Sequence, residues 1–252
     1  MAPVRFGWQE NGGFALREAP RSPLAYTESQ RLREKGSAMP IKEFCAENVE
    51  HVPAALAAGA KRIELCDNLA PGGTTPSHGV IHAAVELCHP AGATVMCMIR
   101  PRGGSFEYTP AEVRIMSMDL KAAAAAGVDG VVFGCLRGAH LDRLLTMSLA
   151  RIAKSLNMQV TFHMAFDELP FDEALDAIDY LARFGVDRIL THGGPAGTPI
   201  EDNLDRLGAY VERAAGRIGI LPGGGITWEN ADVVASALGV DEVHGTRIVQ
   251  LS

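Results

Sequence analysis

The sequence lacks any apolar run long enough to cross a bilayer. It also lacks an excess of positive charge, with a formal net charge of −7 over 252 residues. The first absence argues against a membrane-spanning chain, the second against a general nucleic-acid or membrane surface. Paired cysteines are missing as well. The five cysteines are odd in number, scattered and without CxxC spacing, which argues against a disulfide scaffold and for a reducing, cytoplasmic setting. No GxGxxG follows the first apolar run, which weakens a dinucleotide-binding fold. What is present is ordinary for a globular protein: 47% hydrophobic and 21% charged residues, in a length that fits one large domain or two small ones.

Residues 1–38 differ from the rest. Arg5, Arg17, Arg21, Arg31 and Arg33 mix with acids, and no apolar periodicity appears. The stretch has no apolar h-region, so a secretory leader is not expected, and Glu10, Glu18, Glu28 and Glu34 argue against a mitochondrial transit peptide. It reads as a disordered N-terminal extension, or as an over-extended start ahead of a natural beginning at Met39, with the folded domain spanning 39–252.

From Met39 onward, short apolar runs alternate with helical stretches about 20–35 residues apart, the rhythm of a parallel sheet. Strands are expected at Ile41–Ala46, Arg62–Cys66, Thr94–Ile99, Gly130–Gly134, Gln159–Met164, Arg188–Thr191, Gly219–Leu221 and Glu242–His244. One helix should open at Thr109-Pro110 and stop near Gly127, a second should cover Pro170–Phe184, and a third should follow Asn230 and stop at Gly239. Eight such units predict an α/β fold, a single (β/α)8 TIM barrel. Only Gly245–Ser252 follow the last strand, so its helix should be short or missing. The wall left bare would be covered by another subunit or by the extension, which predicts a homo-oligomer.

In such barrels the strand C-termini build the site. Two of these ends repeat one pattern, Glu43-Phe44-Cys45 and Glu64-Leu65-Cys66. Side chains two apart on a strand share a face, so parallel neighbours would bring two carboxylates and two thiols to one spot. His163 is in phase with Thr161 and should point inward near Asp167. Glu43, Glu64, His163 and Asp167 are thus candidates for acid–base work. Arg100 and Arg102 could clamp an oxyanion, or neutralise a glutamate structurally. Gly223, Gly224 and Gly225 could let backbone N–H groups approach that anion, or could simply make a tight turn. His244 joins this anion-binding set, although the sequence does not settle the register of its strand or that of His192.

Cys45 and Cys66 admit three readings. They could be inert core residues, a disulfide, or a pair of thiolates about 5 Å apart holding a soft ion such as Cu(I). Two thiolates are too few for a usual structural zinc site.

The motifs Phe44-Cys45-Ala46-Glu47-Asn48, Arg62-Ile63-Glu64-Leu65-Cys66-Asp67-Asn68-Leu69, Gly72-Gly73-Thr74-Thr75-Pro76-Ser77 and Met98-Ile99-Arg100-Pro101-Arg102-Gly103-Gly104 occur in order. Gly130-Val131-Val132-Phe133-Gly134, Thr161-Phe162-His163-Met164-Ala165-Phe166-Asp167 and Pro222-Gly223-Gly224-Gly225 continue them. Together they make the chain similar to the CutC family, named as copper homeostasis proteins, over about residues 39–249. The resemblance implies a TIM barrel, a cytoplasmic location and Cu(I) bound at Cys45 and Cys66. It brings no reaction with it. This chain carries His192 where many members have a small hydroxyl residue, and it ends soon after the eighth strand. Two functions follow: a cytoplasmic Cu(I)-binding protein of copper homeostasis, or a TIM-barrel enzyme doing acid–base chemistry on a small anionic or phosphorylated metabolite.

Overall fold

The strands put apolar residues outward and polar ones inward. In Arg62-Ile63-Glu64-Leu65-Cys66 every residue is buried. Ile63 and Leu65 pack in the layer under the helices, while Cys66 joins a small interior cluster with Cys45, Met96, Met98 and Val132. A strand covered on both faces belongs in a closed parallel barrel.

The computed structural model describes residues 39–251; the extension expected over 1–38 lies outside the described residues. Eight strands form the barrel: β1 (Ile41–Glu47), β2 (Arg62–Cys66), β3 (Thr94–Met98), β4 (Gly130–Phe133), β5 (Gln159–Phe162), β6 (Arg188–Thr191), β7 (Gly219–Pro222) and β8 (Glu242–Gly245). Their spatial order is β8-β1-β2-β3-β4-β5-β6-β7, with every adjacent pair parallel. Among the described residues no ladder joins β7 to β8. The ring closes beyond their ends, where Thr227 and Arg247 form one parallel bridge and Trp228 N–H donates to Arg247 O at 2.8 Å.

Seven helices cover the outside: α1 (Val52–Ala57), α2 (His78–Cys88), α3 (Pro110–Ala125), α4 (Arg143–Ser155), α5 (Phe171–Arg183), α6 (Leu204–Ala214) and α7 (Ala231–Leu238). Their ends follow local chemistry. Thr109 and Glu112 form a reciprocal capping box ahead of α3, with Pro110 in its first turn, which satisfies two donors that a helix start leaves open. Helix α7 stops at Gly239 with φ +65°, a conformation that suits glycine. Each large outer side chain buried beneath these helices contributes about 1.5–3 kcal/mol.

Two departures from the sequence reading affect the site. Strand β5 ends at Phe162 rather than continuing to Met164, because His163 turns the chain into a 3-10 turn over Met164–Glu168 and its Nδ1 accepts the Ala165 N–H at 3.1 Å. A short hairpin pairs Leu136–Arg137 with His140–Leu141 after β4. No helix follows β8 within the described residues, as the absent closing periodicity predicts.

Candidate functional site

The β1–β2 register sets Glu43 opposite Arg62, Cys45 opposite Glu64 and Glu47 opposite Cys66. The two Glu-x-Cys segments are therefore staggered by two residues, and their carboxylates do not meet at one level. Glu43 lies a layer deeper, 1% exposed. It accepts bonds from Arg62 Nε and from His244 Nδ1, the latter at 2.8 Å. Arg62 also pairs with Glu242, and Arg188 Nε lies 3.2 Å from the same carboxylate. Arg188 continues the row to Gln159 at 2.6 Å and Thr161 at 3.3 Å. Alternating charges thus fill the barrel floor, each hydrogen-bonded, as buried charges must be. Burial alone would raise the Glu43 carboxyl, but Arg62 and His244 outweigh it and hold the group at about 2.

Above this floor stand Cys45, Cys66, Glu64 and His244. The donor atoms of Cys45, Glu64 and His244 lie within 4.8 Å of one another. His244 Nε2 is 3.6 Å from Glu64 Oε2, Cys66 Sγ is 3.8 Å from the same oxygen, and the two thiols share a hydrogen bond. Burial pulls His244 down, yet Glu64, Cys45 and Glu43 together hold the imidazole well above its ordinary value. The Glu64 carboxyl is raised, first by burial and then by the Glu43 charge. Hydrogen bonding to Cys66 and burial push the Cys45 thiol well up. Cys66 gains from its bond to Cys45 but loses more to burial and the Glu64 charge, and sits at about 11. Cys45, His244 and Glu43 follow one another like a nucleophile, its base and an orienting acid. The resting protons argue otherwise: the imidazole is cationic and the thiol is neutral, so no thiolate is poised for attack.

A cavity of 330 Å3 opens above these groups at the strand C-termini. Its deep end is Cys45, Glu64, Cys66 and His244; its walls include Leu69, Met98, Phe106, Leu190 and Ile226. Gly224, Gly225, Thr246 and Arg247 also line it, the last three exposed at the rim. Arg100 and His163 line it too, at 3% and 4% exposure. Arg100 Nη1 donates to Pro71 O at 2.8 Å and Gly73 O at 3.0 Å, and Nη2 to Gly104 O at 2.9 Å. Burial, and then the Arg100 charge, lower His163 to about 3, so its ring is neutral. Because Nδ1 is the acceptor for Ala165, the proton sits on Nε2.

Other candidates lie elsewhere. Arg102 binds Glu112 at 2.6 Å and the carbonyls of Ser105 and Glu107, both at 2.7 Å, tying a loop to the start of α3. Asp167 accepts from Thr191 Oγ1, from His192 N at 2.8 Å and from Gly193 N at 3.1 Å, fixing the turn after β6. Neither residue lines the cavity. Gly223 stands behind the cavity surface, where an added Cβ would fall 2.6 Å from Leu190 and 3.1 Å from the His244 ring. His192 is bonded to Gly223 O at 3.2 Å, Thr198 Oγ1 at 3.1 Å and Asn203 Nδ2 at 2.9 Å, also off the cavity lining.

The partnership of His244 with Cys45 and both glutamates escaped the sequence reading, as did Arg62, Phe106 and Arg247. One signal was available. Glu242-Val243-His244 repeats the acid-x-ligand spacing of the first two strands, and the eighth strand of a barrel must lie beside the first.

The CutC family model matches residues 40–249. A CutC family protein from Enterococcus faecalis is 54% identical over 83% of this chain and 100% of its own length. A human protein called copper homeostasis protein cutC homolog is 39% identical over 81% of this chain and 72% of its own length. A crystal structure of a CutC protein from Streptococcus agalactiae superposes with a TM-score of 0.80 at 43% identity, covering 84% of this chain and 100% of that one.

Proposed function

The chain belongs to the CutC family, and from that membership and the site's donor chemistry we propose that it binds Cu(I) through Cys45 and Cys66 in copper homeostasis. The observation that carries this reading is the meeting of two hydrogen-bonded thiols, with the Met98 thioether packed in the same cluster and His244 beside Cys45. Thiolate, thioether and imidazole are the ligand types that favour Cu(I). A carboxylate, here Glu64, is the ordinary choice of harder ions. Copper would enter as cargo, displacing the thiol protons. The decisive experiment is competition for Cu(I) against a chromogenic chelator, comparing the parent with C45S/C66S under reducing conditions. One Cu(I) per chain, lost in the double variant with its circular dichroism unchanged, is expected. Full affinity in the folded variant would exclude the proposal.

A second reading, an enzyme working on a small anionic metabolite, is favoured by the cavity itself. A copper ion needs no 330 Å3 chamber walled by Leu69, Phe106 and Ile226, whereas a small organic molecule does. Glu64, whose carboxyl is raised, and His244 would then carry protons at its deep end.

The proposal includes a cytoplasmic location and self-association. Five free, buried cysteines suit a reducing compartment, and among the described residues no helix is long and apolar enough to cross a membrane. Met118 and Leu144 expose apolar side chains on the neighbouring helices α3 and α4. Light scattering of M118K/L144K against the parent tests association: the double charge should yield a smaller species.

A further inference from the structure

Arg100 is a buried cation without a counter-ion. It is 3% exposed, its guanidinium N–H groups donate to the neutral carbonyls of Pro71, Gly73 and Gly104, and the neighbouring Tyr108 hydroxyl is uncharged as well. Its guanidinium lies 4.8 Å over the Phe106 ring, and among the described residues no carboxylate forms an ion pair with it. The contrast with the floor is sharp, since Arg62 and Arg188 each meet a glutamate there. A buried charge left unpaired is costly, and this one lines a cavity.

A second observation falls beside it. His163 also lines the cavity and packs on the other contact of Phe106, with ring centroids 4.9 Å apart. Its Nε2 carries the ring proton yet has no partner, and the same is true of Arg100 Nε. Two buried N–H donors, one of them charged, thus stand unsatisfied on the wall of one chamber. Groups of this kind are normally paired. An oxyanion supplies both missing elements, the negative charge and the acceptor lone pairs.

We propose that the cavity binds a small organic oxyanion, a carboxylate or a phosphate ester, whose charged group lies against Arg100 and accepts from His163. This deepens the enzyme reading of the cavity and is independent of copper. The apolar walls at Leu69, Met98, Phe106 and Ile226 would hold a carbon skeleton of a few atoms, and the rim residue Arg247 adds positive charge at the way in. The skeleton would then face Glu64 and His244, the groups fit to move its protons.

The test uses copper-free, reduced, full-length protein and three named probes: pyruvate for the carboxylate, glycerol 3-phosphate for the phosphate ester, and glycerol as the uncharged control. Calorimetric titration and the rise in Tm are read together, since a native-state ligand must raise Tm. At least one anion should bind saturably below about 1 mM, at least tenfold more tightly than glycerol. His163→Asn keeps an acceptor near the Nδ1 position for the Ala165 N–H but deletes the Nε2 donor, and should weaken that anion at least tenfold. His163→Gln restores an N–H near the Nε2 position and should recover it to within about threefold. The C45S/C66S variant should bind the anion like the parent, which separates this inference from the copper proposal. If glycerol binds as well as either anion, or if H163N binds the anion unchanged while folded, the oxyanion assignment is wrong although the chamber remains a small-molecule site. If none of the three probes binds, the inference fails with the enzyme reading, and the copper proposal stands untouched.

Discussion

Cys45 stands opposite Glu64, not opposite Cys66, across the β1–β2 ladder. This offset gives two Glu-x-Cys tripeptides different fates. Glu64 rises to the cavity beside both thiols, whereas Glu43 drops to the floor and is bound by Arg62 and His244. One glutamate serves the chamber and the other supports it.

Glu43 should therefore behave as a structural residue. Glu43→Gln leaves Arg62 with Glu242 as its remaining partner and removes the anchor of His244, in a place where water cannot compensate. Loss of about 3 kcal/mol is expected from urea unfolding, against less than about 0.5 kcal/mol for an exposed control such as Glu86→Gln.

Copper affinity should rise with pH. Both thiols hold their protons far above neutrality, Cys66 to about 11, so Cu(I) must expel them to bind as thiolate. Apparent affinity should increase about 10- to 100-fold per pH unit for one or two protons released. Chelator competition at pH 6.5 and 7.5 measures it, and a flat profile would contradict thiolate ligation.

Acid should unfold the protein partly through His163. Its folded value, about 3, lies below the ordinary histidine value of 6.5, so between these two the unfolded chain binds the extra proton. Stability is unaffected by this group above pH 6.5 and falls below it, by at most about 1.4 kcal/mol per pH unit. Urea midpoints at pH 6.5 and 5.5 should lie closer together in H163N than in the parent, because the variant has no imidazole to protonate at this position.

Gly134 should resist replacement. An added Cβ would lie 2.5 Å from His163 Cε1 and Nδ1 and 2.9 Å from Ala165 Cβ. Gly134→Ala must push the imidazole aside, costing about 1–3 kcal/mol. If His163 seats the oxyanion, affinity should fall with it. Retained anion binding with lowered Tm would mean that the ring relaxes without leaving its place.

Much of the barrel was legible because period-two alternation and glycine stops fix strands and faces. Arg62–Cys66 and Arg188–Thr191 have the expected bounds, and Cys97 packs outward with Val95 and Ile99 as its parity demands. Register was not legible. Nothing local says that Glu43 meets Arg62, because that pairing depends on the stagger of the whole ring. Loop residues were harder still. Arg102 and Asp167 have the chemistry of site residues, but the turns after β3 and β5 aim them at Glu112 and at the amides of His192 and Gly193. Arg100, from the same motif as Arg102, enters the cavity because it still follows the strand's inward phase.

A hoop yields first at its join. The β7–β8 seam is latched by the Thr227–Arg247 bridge and the bond from Trp228 to Arg247, beyond strands that elsewhere around the ring are laced rung by rung. The rim residues Gly224 and Gly225 hang from one side of that latch, and Gly245 and Thr246 from the other. Amide deuteration should therefore start at residues 223–228 and 245–249 and reach β2 and β3 last. Springing the latch would widen the chamber from its side, so a cargo or a metabolite could pass without a separate moving flap, and occupancy of the chamber should slow exchange there before it slows anywhere else.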